Sequence, residues 1–278
     1  MIEPTTFARL QSRALIALAG DDWRSFLQGL ISQDVATLEP GEARFGALLT
    51  PQGRLLYDLF VVGRAEGCWL DVEAGRRAAI IQRLAMYRLR AKVTIEPDET
   101  PVSILFGDGP APDAPGWTRD PRLPELGWRG YGAAPPPSSI VADEAVREAQ
   151  KLALGVPGPA DWGSDKTYPI EANFDLLNGI DFGKGCFVGQ ETTSRMKRRG
   201  QVKSRMLPVA FDGGQLVAGA EVLAGDLRAG VVTSSGDGRA IALMRLDRAE
   251  GQALTVGGRP VRLERPAWYL AALGEEAA

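Results

Sequence analysis

Residues 168–205 read "YPIEANFDLLNGIDFGKGCFVGQETTSRMKRRGQVKSR". Cys186 sits there among three glycines, Gly183, Gly185 and Gly189, and the chain has one other cysteine, Cys68. Glycines permit positive φ and close backbone approach, and N–H groups exposed in such a loop can hold an anion. Lys184 lies two residues from Cys186, and a cation beside a thiol favours the thiolate. The competing reading of Cys186 is a small apolar residue packed in a tight turn. Both stand on the pattern alone.

Composition narrows the chemistry. The chain has 278 residues, long enough for two or three domains, with 45% hydrophobic and 24% charged residues. The net charge of −3 argues against direct nucleic-acid binding by the whole surface. There is no histidine, which excludes a Ser-His-Asp triad, a Cys-His pair and His-ligated zinc or iron within the chain. Two cysteines cannot supply the four thiolates of an ordinary iron–sulfur site, so no resident metal is expected. The opening "MIEPTTFARL" lacks an apolar leader core, and no run approaches the ~18 apolar residues that span a membrane. The expectation is a cytoplasmic protein with no membrane partner and two free thiols.

The class read from periodicity is α+β. "DDWRSFLQGLISQDV" predicts an amphipathic helix, with Trp23, Phe26, Leu27, Leu30 and Ile31 on one face. Strands are expected in "ARFGALLT", "RLLYDLFVVG", "GCWLDVEA", "KVTIEP", "VSILFG" and "LGWRGYG". A helix is expected over about Arg76 to Arg90, with Ile80, Leu84 and Tyr87 on one face. Another is expected in "DEAVREAQKLALG", closed by Gly155. From about Lys203, six short runs ("KSRMLPVAF", "EVLA", "AGVVTSS", "AIALMRL", "ALTV", "RPVRLE") separated by glycine-rich turns predict a small β-barrel.

Lys184-Gly185-Cys186-Phe187-x-Gly189-Gln190-Glu191 resembles the signature of the YgfZ-type folate-binding proteins. These belong to the superfamily of the glycine-cleavage T-protein, the tetrahydrofolate-dependent aminomethyltransferase. The likeness extends to Pro169-x-Glu171-x-Asn173, to Arg195 and to "RRGQVKSR", and it covers nearly the whole chain. It implies a T-protein-like mixed helix/sheet N-terminal part with a small C-terminal β-barrel. It further implies a central domain from residues 1–45 and 140–204, an inserted α+β domain at 46–139, and a barrel at 205–278.

The same resemblance implies tetrahydrofolate or a derivative as ligand, transient iron–sulfur enzymes as partners, and support of iron–sulfur cluster assembly or repair, including in tRNA-modifying enzymes. The alternatives are a tetrahydrofolate-dependent aminomethyltransferase and a ligand-free interaction scaffold on the same fold. Asp58, on an otherwise apolar strand face, matches the T-protein aspartate that faces the folate and is expected to border a ligand cavity. Its other reading is a carboxylate held in a salt bridge. Asp58 and Cys186 are the candidate reactive groups. Arg147, Glu171, Asn173, Lys184, Gln190, Glu191 and Arg195 complete the candidate ligand set, with a hydrogen-bonded network holding the loop as the alternative for the polar ones. Two positions depart from T-protein: Glu73-Ala74 replaces an Asn-Ala pair, and Tyr131 stands where a glutamate contacts folate. Arg195, Lys197, Arg198, Arg199, Lys203 and Arg205 form a basic run, read as a solvated face or as an anion patch.

Overall fold

The computed structural model describes residues 5–137, 139–198, 200 and 202–274. The chain passes in order through β1 (Thr6–Arg9), β2 (Arg13–Ala19), α1 (Trp23–Gln28), β3 (Ala43–Leu49), β4 (Leu55–Arg64), β5 (Gly67–Glu73), α2 (Arg77–Arg88), β6 (Thr94–Asp98), β7 (Val102–Phe106), β8 (Trp117–Arg119), β9 (Trp128–Tyr131) and β10 (Ile140–Ala142). It continues through α3 (Ala145–Leu154), α4 (Pro159–Trp162), α5 (Gln190–Arg198), β11 (Ser204–Ala210), β12 (Glu221–Ala224), β13 (Leu227–Ser235), β14 (Arg239–Arg245), α6 (Leu246–Ala249), β15 (Leu254–Val256), β16 (Arg259–Leu263) and α7 (Ala267–Leu273).

Two compact units result. Met1–Gln52, Leu56–Arg147 and Leu177–Gln190 form the first; Gly53–Leu55, Glu148–Leu176 and Glu191–Ala278 form the second. The first contains a sheet in the order β3-β4-β5-β2-β6 and another in the order β10-β1-β7-β9-β8. Strand pairing crosses the expected 45/46 division, since β2 pairs with β5 and β1 with β7. Backbone hydrogen bonds therefore tie residues 1–45 into the same sheets as 46–139.

The predicted helix over residues 21–35 is shorter than its apolar spacing suggests. α1 ends at Gln28, and Ile31 then bridges Leu48 while the Ser32 N–H donates to the Ala47 carbonyl. The five apolar residues still enter one core with Leu59, Leu70, Ile80 and Leu84. Burial obeyed the helical period; the backbone left the helix after one and a half turns because β3 offered its hydrogen bonds. In α2, Ile80 and Leu84 point inward as expected, but Tyr87 is 38% exposed.

The second unit holds all six expected C-terminal strands. They close into the barrel β11-β14-β13-β12-β15-β16 around Leu207, Val222, Ala242 and Met244. Gly155 ends α3 with φ 66°, the left-handed conformation expected of a C-terminal cap.

Candidate functional site

The register of the first unit gathers charge between its sheets. Leu15 on β2 and Phe60 on β4 both pair with Asp71 on β5, so these three side chains share a face. Arg13 and Asp58 lie two residues along their strands on that same face. Arg13 reaches across β5: its Nη1 donates to Asp58 Oδ2 at 2.9 Å and its Nε to Asp71 Oδ1 at 2.7 Å. From β9, Arg129 donates through Nε to Asp71 Oδ2 at 3.1 Å, and the Tyr131 hydroxyl donates to the same oxygen at 3.1 Å. Arg129 also lies 3.6 Å from Asp120, which accepts from Arg122 and from Arg147 Nη2 at 2.7 and 2.8 Å. Asp58 and Arg147 are thus the ends of one chain of alternating charges, Asp58–Arg13–Asp71–Arg129–Asp120–Arg147. The Phe60 ring lies under it, 3.8 Å from the Arg129 guanidinium carbon.

Burial sets the electrostatics of this network. It works against the charge of Asp71, but Arg129 and Arg13 outweigh it and hold the carboxyl below its ordinary range. Asp120 is depressed likewise, with Arg122 the chief partner overcoming burial. Burial lowers Arg147 to about 9, with Asp120 opposing. Burial, and then Asp71, push the Tyr131 phenol well above its usual value.

These positions alter two expectations. Asp58 is 5% exposed and salt-bridged, which is the second of its two readings. Arg147, expected in the ligand set, is 3% exposed and turned inward to Asp120 and to the Leu126 carbonyl. Tyr131 spends its hydroxyl on the network, and Glu73 lies 4.0 Å from Arg76.

The glycine loop belongs to the first unit. Asp181 Oδ1 accepts from the N–H groups of Gly183 and Lys184. Of the three loop glycines only Gly189 uses positive φ. Lys184 is buried, and its ammonium donates to the carbonyls of Ile31 and Gln33 at 2.7 Å each. Burial lowers its pKa to about 8, against the pull of Asp34 and Asp181. Its cation is committed to these carbonyls, where the sequence placed it beside the sulfur. Gln190 Oε1 accepts from the Phe187 N–H and closes the turn into α5. Cys186 is exposed; Cys68 is fully buried, and burial pushes its thiol far up.

In the second unit, Glu171 accepts from the Tyr168 N–H at 3.0 Å, and burial raises its carboxyl. Asn173 is fully buried with φ 61° and donates to the Met206 carbonyl at 2.7 Å. Arg205 leaves the basic run for the interior, where it meets Asp175 at 2.8 Å. Glu191, Arg195, Lys197, Arg198 and Lys203 are exposed; Arg199 lies outside the described residues. A cleft of about 690 Å³ in this unit is lined by Lys151, Leu152, Asp161, Ser234, Arg239 and Glu264, among others, and by none of the candidate residues. Among the described residues no group of three or more Cys, Asp or Glu side chains is arranged to hold a metal ion.

Arg13, Asp71, Asp120, Arg122 and Arg129 were not singled out from the sequence. The signal that marked Asp58, a charge inside a strand-like run, was present in "CWLDVE" and "GWRGY" as well.

A mixed body of two sheets with a closed six-stranded C-terminal barrel is the fold of the aminomethyltransferases. The structure superposes on the glycine cleavage system aminomethyltransferase T of Bartonella henselae with a TM-score of 0.77 over 94% of this chain and 85% of that one, at 20% identity. Residues 203–270 match the family of the CAF17 C-terminal β-barrel domain. The chain belongs to the family of the iron–sulfur cluster assembly factor IBA57, mitochondrial: it is 31% identical to the Mus musculus protein over 239 residues, covering 75% of this chain and 67% of that one. It is 32% identical to the Homo sapiens protein over 233 residues, covering 73% and 65%. With the Neurospora crassa homolog the figures are 32% over 231 residues, 72% and 52%. The match thus spans about half to two thirds of the length of these relatives. Among the described residues no helix is long and apolar enough to cross a membrane.

Proposed function

We propose that this protein is an iron–sulfur cluster assembly or repair factor that presents Cys186 to a client enzyme. The observation that carries the reading is the exposed Cys186 thiol on a loop pinned by Lys184, in a chain of this family. With Cys68 buried and Cys186 exposed, a single cysteine sulfur is available, so the other ligands of a cluster in transit come from the client. The cluster is cargo. Enzymes of tRNA modification are the clients this reading favours. The two unpaired cysteines suit a reducing compartment, the cytoplasm in our reading.

We further propose that a reduced folate binds, as the YgfZ-type resemblance implies, with Asp58, which it would meet as the carboxylate already paired with Arg13, nearest its ring. The fit is partial. Arg147 and Tyr131 are committed to the ion network, so they do not form the T-protein cradle. Glu171, Gln190, Glu191 and Arg195 remain candidates for ligand contact; Asn173 and Lys184 serve the backbone.

The decisive experiment is complementation. In a strain lacking the protein, Cys186→Ser should fail to restore the cluster content and activity of an affected iron–sulfur enzyme, while Cys68→Ser restores both. Full rescue by Cys186→Ser would remove the thiol from the mechanism. Titration with tetrahydrofolate, read by tryptophan fluorescence, tests the ligand separately; no saturable change would leave the scaffold alternative.

A further inference from the structure

The end of α2 carries side chains that the core does not use. Ile80 and Leu84 fill the interior, whereas Met86 is 64%, Tyr87 38% and Leu89 89% exposed. Leu89 stops the helix at φ 43°, a conformation leucine rarely adopts, and projects its side chain from the chain reversal. Three large apolar residues within four positions form an exposed cluster that solvation alone does not explain.

Cations surround it. Arg88, Arg90 and Lys92 are exposed and Arg83 half-buried. Lys92 lies 3.5 Å from Asp21, both being largely exposed; among the described residues no ion pair forms at Arg83, Arg88 or Arg90. A shallow hollow of about 510 Å³ beside Leu89 is lined by Arg88, Arg90 and Lys92 together with Asp21 and Thr94. This concentration of positive charge stands on a chain whose net charge is −3.

We propose that this tip docks peripherally on an anionic phospholipid bilayer. Met86, Tyr87 and Leu89 enter the headgroup–acyl boundary, and lipid phosphates settle against Arg88, Arg90 and Lys92. Interfacial anchoring joins apolar insertion to attraction for anionic headgroups. The apolar side chains favour a bilayer over an acidic protein: Met86 and Leu89 are 64% and 89% exposed, and burying them calls for an apolar medium as well as negative charge. A bilayer accepts a protruding leucine without a matching socket, and it presents phosphates beside its acyl region. The absence of a spanning helix concerns crossing a membrane and is consistent with lying on one.

The test is flotation of the full-length protein with vesicles of phosphatidylcholine, with and without phosphatidylserine. Binding is expected only with phosphatidylserine, and it should weaken as salt rises. Arg88→Glu/Arg90→Glu and Met86→Ser/Leu89→Ser should each weaken binding about tenfold or more, with melting temperature unchanged because the sites are exposed. Lys197→Glu/Arg198→Glu, in the exposed basic face of α5, serves as the control and should bind as the parent does. The proposal is overturned by absent binding, by loss of binding in the α5 variant alone, or by binding that survives Met86→Ser/Leu89→Ser. Equal competition by inorganic phosphate would reveal a small-anion site and also overturn it. Capture by polyglutamate that is insensitive to Leu89→Ser would favour an acidic polypeptide instead.

Discussion

Arg13 and Asp71 are joined twice: Nε of Arg13 donates to the Asp71 carboxylate, and Nη2 to the Asp71 backbone carbonyl, each at 2.7 Å. The guanidinium is thereby fixed in the plane that brings its remaining nitrogen to Asp58. A lysine has one point charge and no such fork.

Arg13→Ala takes from the buried Asp58 its ion-pair partner and leaves Asp71 with Arg129 and Tyr131. Removing one partner of a buried ion pair costs about 3–5 kcal/mol, so urea unfolding should show a loss of that order, with Arg13→Lys in between. A loss below about 1 kcal/mol would place the cluster in water-like surroundings.

Acid should unfold the protein through the same network. Asp71 and Asp120 are held below the ordinary carboxylate range, which lies near 3.9 in the unfolded chain. Their contribution is fully present above that value and is lost as pH falls through their lower folded values. Unfolding free energy measured at steps below about pH 5 should therefore decline steeply, and the decline should be shallower in Asp71→Asn.

Lys184 works in the opposite sense. Its folded pKa of about 8 lies below the unfolded value of about 10.4, so the unfolded chain holds this proton more tightly. Stability from this group is absent below about pH 8 and grows as pH rises toward 10.4. Lys184→Met should flatten that rise, measured by urea unfolding across the same range. An identical slope in the variant would show that the ammonium is solvated.

Alkylation should separate the two thiols. Cys186 is exposed and Cys68 fully buried with its thiol pushed up by desolvation, so iodoacetamide at neutral pH should label Cys186 in the native protein and Cys68 only after unfolding. Mass spectrometry of the two peptides reads the order directly.

Asn173 combines a left-handed backbone with a buried hydrogen bond to Met206. Asn173→Ala loses both and should cost about 2–4 kcal/mol. Asn173→Gly keeps the backbone and should recover about 1 kcal/mol of that loss. Equal losses in thermal melts would assign the whole effect to the side chain.

The sequence by itself determined the local elements. Alternation in "RLLYDLFVVG" and "GCWLDVEA" marked β4 and β5, and glycine-punctuated runs marked all six barrel strands, because strand period and turn chemistry are properties of neighbouring residues. It marked the glycine loop and its cysteine for the same reason. Tertiary structure alone decided where charges meet. Trp23 to Ile31 have a helical period, yet Ile31 took a bridge to Leu48, since β3 arrives from later in the chain. Lys184 stands two residues from Cys186 in the sequence, yet its ammonium donates to carbonyls roughly 150 positions earlier. Asp58 meets Arg13 only because β4, β5 and β2 lie side by side in one register. Arg129 joins them only because a second sheet supplies it. A buried charge must find its partner within hydrogen-bond reach, and which residues come within that reach is set by strand order, which no local pattern encodes.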